Sequence, residues 1–320
     1  MCIAFDEAIE QTKDKDRALL IGNGFSIEHF HYRNLLEQAN LADDDPLRSL
    51  FAAFDTFDFE AVIRALEQAA VVERAYQRER HAEQFRNDAQ RLREALGHAI
   101  RATHPEHREN IQDRIPSCAQ FLQNFGKVFS LNYDLLLYWV ALALPQFRDG
   151  FGLGEELHGF RGPFREDAYC EVYNPHGALH LFQTSAGEVE KRVHDGDGII
   201  AAITRTITHS RRIPLYVAEG SWKAKLRKIN SVSYLRHCYR KLSETTGVMF
   251  IYGHSGARND LHIYRAIFKS SVEHLFFCVH RPTTAINEID AELAWYQRRF
   301  NPNKGYTLVD AETAQVWNRL

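Results

Sequence analysis

Arg17-Ala-Leu-Leu-Ile-Gly-Asn-Gly-Phe-Ser26 sets the fold class. Its first five residues read as a short buried strand, which stops at a glycine turn. A buried strand running into such a turn opens many nucleotide-binding α/β folds. The same order, strand and then small or polar residues, recurs along the chain. Lys127-Val-Phe-Ser-Leu131 precedes Asn132-Tyr-Asp134, and Glu171-Val-Tyr173 leads into Asn174-Pro-His-Gly177, with residues 179–182 as a candidate continuation. Ile213-Pro-Leu-Tyr-Val217 reads as a further strand. Val248-Met-Phe-Ile-Tyr252 precedes Gly253-His-Ser255, and Leu275-Phe-Phe-Cys-Val279 follows.

Between the first two strands, residues 31–125 read as a large helical insertion or subdomain. Phe59, Val62, Ile63, Leu66 and Ala70 recur at helical spacing, as do Phe85, Ala89, Leu92, Leu96 and Ile100. Asp58 is placed to cap the first of these helices. Arg78, Glu79 and Arg80 read as a solvated face. Residues 135–144 are apolar on every side and predict a buried helix. A glycine-rich loop over 150–163, a charged hairpin over 187–198 and one helix over 221–244 are expected next. Asn259 and Asp260 start another helix. Strands alternating with helices predict one α/β domain over 1–320, with a Rossmann-like parallel sheet and helices on both faces.

Composition narrows the class. The 320 residues are 45% hydrophobic with a formal net charge of −3. That is enough for a sizeable core, and it carries no basic excess for nucleic acid or an anionic membrane. The 135–144 run is too short to span a bilayer, and residues 1–16 lack the apolar core of a signal peptide. Cys2, Cys118, Cys170, Cys238 and Cys278 are scattered and odd in number, with no Cys-x-x-Cys. They predict reduced thiols in a cytoplasmic protein and no zinc module.

Chemistry is expected where strands end, because ligands of such sheets bind beyond the strands' carboxyl ends. Gly22 and Gly24, Asn132 and Asp134, His176 and Gly177, and Gly253 and Ser255 all fall there. Singly, each has a plain structural explanation: a common turn, a helix cap, a structural histidine. Together they predict one cleft.

The ordered set Gly-Asn-Gly-Phe-Ser, Leu-Asn-Tyr-Asp, Pro-His-Gly and Gly-His-Ser resembles the sirtuin-like NAD-binding superfamily over about residues 17 to 281. In particular, it is similar to the bacterial branch of NAD-degrading domains in antiphage defence. The resemblance implies that Gly22, Asn23, Gly24, Phe25 and Ser26 form the loop approaching the NAD phosphates. Gly253, His254 and Ser255 would form a later phosphate-contacting turn. It assigns Asp134 to the nicotinamide carboxamide, Asn132 to orienting ribose and nucleophile, and His176 to proton transfer. The chain departs from the family at Asn23, where alanine is usual. It departs again at His280 and Arg281, where an asparagine often holds the adenosine ribose. The absent zinc cysteines argue against protein deacylation.

The implied reaction is cleavage of NAD+ to nicotinamide and ADP-ribose by a regulated defence effector. NAD+ is the substrate, and no further cofactor or metal is expected. Homo-oligomerisation or an activating protein is expected to act through the helical insertion. A non-catalytic NAD or ADP-ribose sensor and an ADP-ribosyl or acyl transferase stand as alternatives. A dehydrogenase fits less well, because Ile27 stands at the third glycine of Gly-x-Gly-x-x-Gly.

Other residues read as structural. His29 and His31 form His-x-His without neighbouring ligands, and His176 and His180 do not share a helix. Arg211, Arg212, Lys223, Lys225, Arg227 and Lys228 read as a solvated basic face. Glu219 and Lys223 are weaker candidates to line the cleft. Asp260 reads as a helix cap outside the catalytic set.

Overall fold

A computed structural model describes residues 2–29, 35–152, 159–160, 168–194, 196–217 and 221–319. Eight parallel strands form the main sheet: β1 (Ile3–Ala4), β2 (Arg17–Ile21), β3 (Lys127–Ser130), β4 (Phe147–Arg148), β5 (Cys170–Tyr173), β9 (Thr246–Tyr252), β10 (Ser271–Val279) and β11 (Gly305–Asp310). Their spatial order is β1-β11-β10-β9-β2-β3-β5-β4. A second, antiparallel sheet joins β6 (Gly177–Gln183), β7 (Val189–Lys191) and β8 (Pro214–Tyr216) in the order β7-β6-β8.

Both faces of the main sheet are covered, and the strand residues show why. Leu19 and Ile21 of β2 enter one core, whereas Ala18 and Leu20 enter the other. Val248 and Phe250 of β9 follow the first pair, and Met249 and Ile251 the second. This is the two-residue period of a strand buried on both sides. The first core takes α1 (Phe5–Gln11), α2 (Pro46–Ala53), α3 (Phe59–Ala75), α4 (Glu79–Thr103), α5 (Ile115–Leu122), α6 (Leu136–Ala141) and α7 (Ile199–Thr208). The second takes α8 (Trp222–Ser231), α9 (Ser233–Ser243), α10 (Leu261–Lys269) and α11 (Pro282–Phe300).

The helical region after β2 forms as its periodicity predicts. Asp58 caps α3 by accepting from the Ala61 N–H at 3.2 Å. Phe59, Val62, Ile63, Leu66 and Ala70 are all buried. In the second stripe Ala89, Leu92, Leu96 and Ile100 are buried, and Phe85 is half-buried. Phe59 and Leu92 share one core with Leu19 of the sheet, and α4 packs on α7.

Elsewhere the elements differ from the sequence reading. Residues 177–183 do not continue β5; they form β6 in the other sheet. The chain turns between them at Gly177, with φ +81°. Residues 214–216 pair antiparallel with β6 rather than joining the parallel sheet. The helix expected over 221–244 is two helices, broken at Val232, whose φ and ψ are extended. The edge strand β1 and its neighbour β11, with α11 between β10 and β11, carry no turn signal strong enough to mark them beforehand. His31, Glu219 and most of the 150–163 loop lie outside the described residues. No helix among them is long and apolar enough to cross a membrane. All five cysteines are free.

Candidate active site at the switch point

From β2 the chain steps to β3 and β5 on one side, then returns to β9 and continues to β10 and β11 on the other. The direction reverses between β2 and β9. In open parallel sheets, ligands bind outside such a reversal. The loops leaving these two strands are Gly22–Ser26 and Gly253–Ser255.

The two loops cross in direct contact. The Gly22 N–H donates to the Tyr252 carbonyl at 2.9 Å, and the Gly24 N–H to the Gly253 carbonyl at 2.7 Å. A Cβ on Gly24 would lie 2.7 Å from Gly253 Cα, and one on Gly253 would lie 2.4 Å from the Phe25 nitrogen. Gly253 also has φ +69°, which disfavours other residues. The glycines therefore let two backbones touch. The Gly22 and Gly24 N–H groups already have carbonyl partners. Phe25 is buried against Trp317 rather than presented by the loop. Asn23, Gly24 and Ser255 are exposed.

Behind this crossing, Ser26 meets the end of β3. Asn132 Nδ2 donates to Ser26 Oγ at 2.9 Å, while Asn132 Oδ1 is buried with no partner among the described residues. Asp134 accepts from the Leu136 N–H at 2.9 Å, fixing the start of α6. Burial raises the Asp134 pKa, opposed by the Ser26 hydroxyl and the backbone amide.

His176 lies in the turn between β5 and β6. It is 3% exposed, and its Nε2 faces His262 Nε2 at 3.0 Å, so one imidazole donates to the other. His262 Nδ1 has no partner among the described residues. Burial holds His176 well below its usual pKa despite the nearby Asp260 carboxylate, and it brings His262 to about 4. Both rings are neutral at pH 7. The proton-accepting capacity expected of an unperturbed histidine is therefore reduced.

Asp260 links these groups. Its Oδ1 accepts from Lys225 Nζ at 2.8 Å, and its Oδ2 faces His254 Nε2 at 3.3 Å. His254 Nδ1 accepts from the Gly256 N–H at 3.0 Å, leaving Nε2 to donate. Burial opposes the Asp260 charge, yet His254 and Lys225 hold its carboxyl well below the usual range. Lys225 is 6% exposed, so it does not belong to the solvated basic face expected of its neighbours. Lys228 and Arg212 are also paired, with Glu60 and Glu190. His262, and the part played by Asp260 and Lys225, were missed. Asp260 and His262 follow closely on Gly253-His254-Ser255, but no spacing rule joins them to Lys225 of α8 or to His176.

Two larger cavities flank the site. One of about 520 Å³ is lined by Gly24, Gly253, His254, Ser255, His280 and Trp317. The other, about 430 Å³, is lined by Asp134, Tyr138, Val172, Asn174, His180 and Lys191. Both volumes suit a small ligand. A third of about 180 Å³ reaches Lys225 and Val217, whose N–H donates to the His176 carbonyl at 2.8 Å. The predicted loops thus converge, but the residues divide. The glycine turns face one cavity, Asp134 faces another, and Asn132 and His176 line none of the three.

Residues 19–317 match the family described as a domain of unknown function, DUF4917. The chain belongs to that family. The DUF4917 match takes in every strand-end residue discussed above and every strand except β1 and the first two residues of β2. No curated protein matches the chain.

Proposed function

We propose that this DUF4917 protein binds NAD+ across the switch point and cleaves its nicotinamide–ribose bond, as its resemblance to sirtuin-like domains implies. The observation that carries the reading is the Ser26–Asn132–Asp134 cluster behind the Gly24–Gly253 crossing. It is flanked by one cavity of about 520 Å³ and another of about 430 Å³. A dinucleotide has two ends, and there are two spaces to take them, one lined by Asp134 and the other by Gly24 and Gly253. The chemistry needs little acid catalysis, because cationic nicotinamide leaves as a neutral base. It needs an oriented nucleophile and a site that excludes competing ones.

Asn132 supplies orientation. Ser26 fixes its amide nitrogen, and its buried, unpartnered oxygen accepts from water or a ribose hydroxyl once substrate binding opens a path to it. Asp134 holds the carboxamide of the departing ring. His176 takes the proton once substrate separates it from His262. A defence role, a cytoplasmic location, and gating by self-association or a partner on the helical region extend this reading from the resemblance alone.

A sensor that binds without cleaving is favoured by one observation: His176 is buried with its Nε2 already engaged. Calorimetry with NAD+ alongside chromatography of the products separates the two. Binding with nicotinamide release supports cleavage. Binding without release supports the sensor, and no binding refutes both.

A further inference from the structure

We propose that His176, His262 and Asp260 form a binding site for a divalent transition-metal ion, and that its occupation competes with proton transfer by His176. The donor atoms of these three buried residues lie within 4.8 Å of one another. Two are imidazole nitrogens that face each other at 3.0 Å, and the third is a carboxylate oxygen. Neutral imidazole with carboxylate suits zinc, cobalt or nickel rather than calcium or magnesium. Such ions hold histidine nitrogen at ~2.0–2.1 Å, so an ion between the rings replaces their mutual hydrogen bond.

The surroundings are built to steer the carboxylate. Asp260 Oδ1 accepts from Lys225 Nζ at 2.8 Å, and Oδ2, beside His254 Nε2 at 3.3 Å, keeps a further lone pair for the ion. His254 donates toward Oδ2, and the Gly256 N–H fixes its tautomer. Carboxylates that ligate metal ions are in turn held by such outer hydrogen bonds. The Lys225 ammonium acts in the opposite direction, because it repels a cation in a poorly solvated site. It sets the affinity below that of a site carrying the same ligands without it. This gives the proposal a signature that a purely structural histidine pair lacks: removing Lys225 must tighten binding.

The inference goes beyond the proposed reaction and is tested without NAD+. The full chain, stripped with EDTA and dialysed, is titrated with Co2+ and followed by visible absorption, then challenged with Zn2+. The expected result is one equivalent of Co2+ with the intense bands of a low-coordinate nitrogen and oxygen site, displaced by Zn2+. H262A should weaken Co2+ binding at least ~10-fold, and K225Q should strengthen it. A parent spectrum that stays that of the hydrated ion overturns the proposal, as does an H262A titration matching the parent. If H262A does not fold, K225Q decides, and affinity equal to or below the parent's overturns it. Nicotinamide release is assayed separately in EDTA. Its absence refutes the reaction and leaves the metal result standing.

Discussion

Asn132 Nδ2 donates to Ser26 Oγ at 2.9 Å across 106 residues of sequence, tying the end of β3 to the loop after β2. The bond holds a buried amide in one orientation and leaves its Oδ1 without a partner among the described residues. Unpaired buried acceptors are costly and uncommon. This one lies at the end of β3, against the loop that leaves β2 at the reversal.

S26A should therefore do more than trim a hydroxyl. It leaves Asn132 Nδ2 buried and unpaired, at a cost of about 1–3 kcal/mol. Chemical denaturation should show that loss, and nicotinamide release should fall with it. Unchanged stability would show that the bond is not formed in solution.

Gly253 and Gly256 differ only in crowding. Both have positive φ, +69° and +74°. A Cβ at Gly253 meets the Phe25 nitrogen at 2.4 Å, whereas at Gly256 the nearest atoms stand 3.9 Å away. G256A should cost about 1 kcal/mol from backbone strain alone. G253A adds a backbone clash and should cost at least ~2 kcal/mol more. Thermal unfolding of the two variants checks the order, and equal losses would contradict the close crossing of the loops.

His104 makes stability depend on pH. Its Nδ1 donates to the Pro105 carbonyl at 2.8 Å, and its Nε2 accepts from the Leu135 N–H at 3.0 Å, so the ring is needed neutral. Burial brings its pKa from 6.5 to about 4. Between these values the unfolded chain binds the proton and the native one does not. Stability from this group is complete above pH 6.5 and is lost as pH falls toward 4. The full loss is on the order of 3 kcal/mol. H104Q should flatten the denaturation midpoint across that window relative to the parent; an unchanged slope would refute the assignment.

The strands and helices that carry apolar period were legible in the sequence. Leu19, Leu20 and Ile21 announce a strand buried on both faces, and Val62, Ile63 and Leu66 announce a helix. The small sheet was less legible, because Gly177 permits a change of direction that Tyr173 and Leu179 do not signal. A Cβ there would meet the Leu215 carbonyl oxygen at 1.9 Å, a constraint visible only once β8 is in place. In the site, residues adjoining strand ends were readable because parallel strands share one direction. The Asp260–Lys225 pair and the His176–His262 contact were not. They depend on how the start of α10 lies against α8 and against the turn before β6, and no local pattern records that.

Chromatography of NAD+ incubated with the purified chain, with and without extract of phage-infected cells, tests the central claim most directly, with N132A run in parallel. The account predicts equal amounts of nicotinamide and ADP-ribose from the parent, and at least ~100-fold less from a folded N132A. NAD+ recovered intact under both conditions, or release by N132A at the parent rate, would contradict it.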